Sequence, residues 1–254
     1  LKRIIGYISV FVVVLLASLI AHLPAGLLVD NMPKIRGLNL SGVQGTLWQG
    51  HAENVHWQGR TYGQLNWEFQ PSKLLTAKAE FRLRFGRGSS IKLTGKGNVG
   101  VGLSGFYGEN ILAAMPAEKA LLFTNLPVPI DVSGQLEVAL KHVIYAKPWC
   151  QSAEGSVVWN QSQVDSPLGA LEAGPIVAHI QCENSQLLVN GEQHNDQLTS
   201  EFEASLSSDM TYKADGWFKP GADFPPRMAS QLQWLGSPNN QGQYTLNYAG
   251  RVPL

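Results

Sequence analysis

The chain has 254 residues, and 19 Lys and Arg balance 19 Asp and Glu. With no positive surplus to neutralise phosphates, a nucleic-acid partner is excluded. Charged residues are only 15% of the chain, whereas glycine is abundant at 26; this balance suits an extended β structure partly covered by partners.

The first element is an uncharged stretch over residues 4–23, preceded by Lys2 and Arg3 and followed by no acidic residue until Asp30. At 1.5 Å per residue, about 20 residues span a hydrocarbon core of about 30 Å. Basic residues before it keep residues 1–3 in the cytoplasm and send residues 24–254 across the membrane. A cleaved signal peptide has a shorter apolar region and a small residue at its cleavage site. Here Leu19-Ile20-Ala21 puts a bulky Leu there, so the expectation is a single-pass transmembrane anchor.

Beyond the anchor the dominant period is two, the mark of strands with one dry face and one wet. Ala79, Phe81, Leu83 and Phe85 alternate with Glu80, Arg82, Arg84 and Gly86. Ile91, Leu93, Val99, Val101 and Leu103 share one parity, and Ile130, Val132, Leu136, Val138 and Leu140 another. Leu198, Phe202, Ala204 and Leu206 repeat the pattern. Turns are expected at Gln58-Gly59, at Phe85-Gly86-Arg87-Gly88, at Asn190-Gly191 and over Asn239-Asn240-Gln241-Gly242. Two segments read as short helices: Gly108 to Pro116, and the run opened by Pro225-Pro226 and stopped by Gly236. The expected fold is mainly β, an extended, twisted antiparallel meander with two short helices behind one transmembrane helix. The order of elements hints at two similar halves, 28–145 and 146–254.

Cys150 and Cys182 are the only cysteines. An even count in an exported chain suggests one structural disulfide, and closing a loop of about 30 residues is worth about 3–4 kcal/mol. A redox pair would more typically be spaced Cys-x-x-Cys.

Catalytic and cofactor patterns are weak. Gly-x-Gly-x-x-Gly occurs twice, at Gly95, Gly97 and Gly100 and again at Gly100, Gly102 and Gly105. Neither match has the full helix and later acidic residue that a dinucleotide site needs, so these glycines read as bulge or close-packing positions. The six histidines include no His-x-His or His-Glu-x-x-His, so no zinc ligand set is visible. No Gly-x-Ser-x-Gly elbow exists. The expectation is a non-enzyme without metal or cofactor.

The most distinctive segment is Gly45-Thr46-Leu47-Trp48-Gln49-Gly50-His51-Ala52, followed by Gly63-Gln64-Leu65-Asn66-Trp67-Glu68-Phe69. Small residues flanking Trp48 leave room for its indole against a neighbouring strand, and Leu65, Trp67 and Phe69 alternate onto one face. On the residues alone this is a β core built around large aromatics, with a partner-binding surface as the other reading.

Gly45, Thr46, Leu47, Trp48, Gly50 and Ala52, with Gly63, Leu65 and Trp67 after them, resemble the signature of the protein N family of the type II (general) secretion pathway. The anchor, the length, the Cys150 and Cys182 pair and the closing strand from Tyr244 to Gly250 agree with it. Leu1 stands where Met is expected, which suggests an alternative start codon or an uncertain start. The resemblance implies a non-catalytic accessory component of the Gram-negative inner membrane that supports export of folded proteins from the periplasm. Its partners would be other secretion components: the inner-membrane platform, periplasmic segments and the secretin. The alternative is an anchored β-groove protein that carries lipid or another hydrophobic ligand, and it requires an apolar face left uncovered.

Overall fold

The computed structural model describes residues 2–31, 36–123 and 130–252. Two helices lead the chain, α1 (Lys2–Ala21) and α2 (Ala25–Asn31). Thirteen strands follow: β1 (Leu38–Gly45), β2 (Gln49–Trp57), β3 (Arg60–Phe69), β4 (Ala79–Arg87), β5 (Thr94–Gly102), β6 (Gly105–Pro116), β7 (Asp131–Ile144), β8 (Ser152–Ser166), β9 (Gly169–Glu183), β10 (Gln186–His194), β11 (Leu198–Leu206), β12 (Thr211–Pro220) and β13 (Tyr244–Arg251). Short helices α3 (Ala117–Ala120) and α4 (Pro226–Ala229) lie between strands.

All thirteen strands form one antiparallel sheet in strict sequence order. β7 pairs with β8 from Asp131 opposite Asp165 to Ile144 opposite Ser152, with two register shifts on the way. Among the described residues, substantial strand-to-strand packing joins sequence neighbours only, so the sheet is open and a single layer thick. The whole chain, α1 included, has an accessible surface of 16959 Å², well above the roughly 11,000 Å² that a folded globular chain of this mass exposes.

Cross-strand register sorts side chains into two unbroken rows. On the dry face Val43, Ala52, Leu65, Phe85, Gly95, Ala113 and Val138 stand opposite one another in turn. The row continues through Val157, Ala178, Gly191, Phe202, Gly216 and Leu246. On the wet face the neighbouring row begins Gln44, His51, Asn66, Arg84, Lys96 and Leu112. It runs on through Ala139, Ser156, His179, Asn190, Glu203, Asp215 and Asn247. The period-two expectation is therefore met along these rows of every strand, but not at Ile91, Leu93 and Leu103, which lie outside the strands, nor at Glu80, which is buried.

Four sequence expectations fail, each for a local reason. Gly108 to Pro116 is not helical but part of β6. Asn110 adopts a left-handed φ of 52° and shifts the register, so that Ile111 and Met115 face Leu140 and Leu136 on the dry face; the helix starts only at Ala117. Asn190-Gly191 is mid-strand in β10, because Gly191 lies under the Phe202 ring and any Cβ there would overlap it. The β9–β10 turn is instead Asn184-Ser185, both at positive φ. The turn predicted at Phe85 to Gly88 comes later: β4 continues to Arg87 and β5 begins at Thr94, leaving Ile91 and Leu93 in the connection. Leu103 is a fully exposed hairpin tip, not a strand residue. Gln58-Gly59 and the Asn239 turn form where expected, and the latter is closed by Asn239 Oδ1 accepting from the Gln241 and Gln243 amides. The run after Pro225 gives α4 and a tighter turn over Leu232–Leu235, ended by Gly236 at φ 95°.

Among the described residues no helix is long and apolar enough to cross a membrane. α1 is nevertheless a continuous helix of 20 residues. Tyr7, Phe11, Val13 and Leu19 on it are exposed, with no protein surface packed over them.

Candidate functional site

The Gly45 to Ala52 segment is a joint between helix and sheet. It forms the β1–β2 hairpin, closed by the Thr46 amide donating to Gln49 O at 2.9 Å. The Leu47 amide donates to Leu23 O at 2.9 Å, and Trp48 Nε1 donates to Ile20 O at 2.8 Å. The Trp48 side chain therefore satisfies a carbonyl in the last turn of α1 while its ring sits 4.9 Å from that of Phe69. Phe69 in turn lies 5.2 Å from Phe81. Ala52 is completely buried.

The small residues serve a different ring from the one expected. A Cβ on Gly50 would lie 2.6 Å from Trp67 Cζ2 and 2.5 Å from Gln44 O, so Gly50 makes room for Trp67 rather than Trp48. Trp67 Nε1 then donates to Thr46 O at 3.2 Å. Gly95 under Phe85 repeats the arrangement, which bears out the close-packing reading of that strand. Gly63, at φ 79°, sits in the register shift opposite Val55, and Leu65 and Trp67 follow on the dry face.

A second cluster was invisible in sequence. Glu80, assigned by parity to the wet face, is fully buried, because the turn over Pro71–Thr76 folds back on β4. Lys73 Nζ lies 3.4 Å from Glu80 Oε2, and Tyr107 donates to the same oxygen at 2.9 Å. Lys78 bonds Glu109 at 2.7 Å and sits 4.6 Å from the Tyr107 ring centre. The hydrogen bond from Lys78 holds the Glu109 carboxyl below its ordinary value. Burial first, then the bond to Glu80, pushes the Tyr107 hydroxyl up. This ties β4, β5 and β6 together at one margin of the wet face.

Cys150 and Cys182 are joined, with Cα atoms 6.5 Å apart. Cys182 lies on β9 beside Ala153 and Leu187, and the bridge fastens the β7–β8 connection to the β9–β10 turn. Trp149 Nε1 and the Ser185 hydroxyl reinforce it through bonds to Ser185 O and Cys150 O at 3.0 Å each.

Charge on the wet face is segregated. Arg84 and Lys96 stand directly opposite each other on β4 and β5, and Arg84 lines a groove of about 950 Å³ with Arg82 and Arg87. Glu203 faces Asp215, and Glu192 faces Glu201, on β10–β12. These four line a groove of about 720 Å³. All six side chains are exposed. Among the described residues none of the six makes an ion pair, and no group of side chains is arranged to hold a metal.

Comparison with known proteins gives one answer. A sequence model described as "Type II secretion system (T2SS), protein N" matches residues 36–247. The chain is 46% identical over 252 residues to the type II secretion system protein N of Vibrio cholerae, covering 99% of this chain and 100% of that one. It is 32% identical over 255 residues to the Aeromonas hydrophila protein of the same name, at 99% and 100% coverage. The Pectobacterium carotovorum protein is 28% identical over 235 residues, 92% of each chain. No solved structure shows a significant match.

Proposed function

This chain belongs to the type II secretion system protein N family, and from that premise we propose that it is a non-catalytic subunit which α1 tethers in the inner membrane. Its sheet then stands in the periplasm beside the platform and the secretin. The observation that carries this reading is the joint: the family motif bonds to the last turn of α1 through Trp48 to Ile20, and to the residues just past it through Leu47 to Leu23. Motif and anchor are thus one structural unit, which suits a protein whose task is to hold a surface at a fixed place above a membrane. The uncharged 4–23 stretch and the unpacked side chains of α1 support the tether.

The contact surface proposed for partners is the β13 edge. Among the described residues β13 pairs only with β12, so its other side can accept a partner strand, whereas β1 carries α2 against it. Deleting the gene should leave exported enzymes in the periplasm, and the tagged full chain should co-purify with platform or secretin subunits. Unchanged secretion together with no secretion subunit recovered would overturn the reading.

One observation favours a second reading. Among the described residues no layer covers the dry face, and α3 and α4 are too short to supply one. A single apolar sheet face of this extent fits acyl chains as well as protein. Lipid recovered with the purified chain near one-to-one would support a carrier; its absence would leave the subunit reading alone.

A further inference from the structure

We propose that the wet face is a self-association surface on which two copies of this chain pack, related by a two-fold axis running along β8. Like charges placed directly opposite in a sheet are destabilising, yet this face holds such pairs at both ends: Arg84 against Lys96, and Glu203 against Asp215. Among the described residues neither pair makes an ion pair. Both pairs lie in the same cross-strand row, the basic one on β4 and β5 and the acidic one on β11 and β12. β8 stands midway, with Ser156 in that row.

Rotation about an axis along β8, in the plane between two copies, lays β4 over β12 and β5 over β11. Arg84 then meets Asp215 of the second copy and Lys96 meets Glu203, and the symmetry makes each contact twice. Between the charged ends Leu112, Ala139 and Val158, with Glu137 beside them, line a depression of about 420 Å³ that reaches back to Arg84 and Lys96. An apolar centre with a charged rim is the usual anatomy of a self-complementary interface. The rotation reverses the strand order but preserves the hand of the twist, so two sheets of the same twist can follow one another at the usual spacing of about 10 Å.

The test uses the full chain in detergent, with sedimentation read against concentration and salt. The wild type should be a dimer that weakens as salt rises. Reversing one end, as R84E/K96E or as E203K/D215K, should weaken it about tenfold or more. Combining both reversals in one chain should restore dimerisation, which a misfolded variant could not do. Ser156→Cys, at the axis, should be joined to its counterpart in the second copy by a short bismaleimide linker, the sheet spacing being too wide for a direct disulfide. A monomer at every concentration, a dimer indifferent to the reversals, failure of the combined variant, or no link through position 156 would each overturn the proposal. Loss of a different bound protein in the single-end variants, with the wild type monomeric, would assign the face to that protein instead.

Discussion

The two ends of the sheet are built on different terms. At the β1–β6 end, aromatic rings sit over glycines, a buried carboxylate is held by Lys73 and Tyr107, and the hairpin motif bonds to α1. At the β10–β13 end the ring-over-glycine device recurs only at Gly191 under Phe202, the wet-face carboxylates make no ion pair among the described residues, and β13 has no described strand on its outer edge. A sheet one layer thick gains little from a core, so local devices must supply its rigidity, and they are concentrated where the chain meets its helix. One end is fixed and the other is offered.

Substitutions can break that contrast, and the largest effect is expected at the joint. Gly50→Val drives a side chain into Gln44 O and the Trp67 ring, a clash with backbone that should cost about 3 kcal/mol or more. Urea unfolding should show it, with early proteolysis near β1–β3. Leu246→Ala at the free end should cost about 1 kcal/mol, since its neighbours there are not closed over. Equal losses would abolish the distinction. Between the ends, Cys150→Ser with Cys182→Ser should lose about 3 kcal/mol, less any strain relieved. Reduction of the wild type should reproduce that loss in thermal unfolding.

Smaller effects sharpen the contrast. Tyr107→Phe removes a hydrogen bond to a buried carboxylate and should cost about 2 kcal/mol. Glu109 is held below its ordinary value of 4.5, so its contribution is fully present above that pH and fades as pH falls through the folded value. Tyr107 is shifted the other way: its contribution is complete below about pH 10 and declines above it. Acid should therefore loosen the β4–β6 margin first, which hydrogen exchange by segment would reveal. Trp48→Phe keeps the ring and loses only the bond to Ile20, at a cost of about 1 kcal/mol; its sharper readout is wider motion between α1 and the sheet by spin-label distances.

Much of this was legible in the sequence. Alternation over residues 79–85 and 198–206 states which face is dry, and an open antiparallel meander follows once such strands are joined by short turns. The motif Gly45 to Ala52 stood out on its composition, and the protein N family it resembles is the one to which the chain belongs. What misled was context. Asn190-Gly191 is a turn dipeptide by local chemistry, but Phe202 across the ladder needs the glycine flat beneath it. Gly108 to Pro116 could not declare itself a strand, because one left-handed Asn110 resets the parity. Glu80 looked wet because its burial depends on a turn folding back from residues 71–76. Charge segregation on the wet face needed the register of all thirteen strands, which no single segment carries.

The most direct test of a fixed end and an offered end is site-specific photocrosslinking in living cells. A photoreactive residue would be placed in turn at Leu40 on β1 and at Thr245, Asn247 or Tyr248 on β13, with adducts identified by mass spectrometry. Adducts to other type II secretion subunits should form from the β13 positions and not from position 40. Adducts spread evenly over both ends, or none to any secretion subunit, would contradict it.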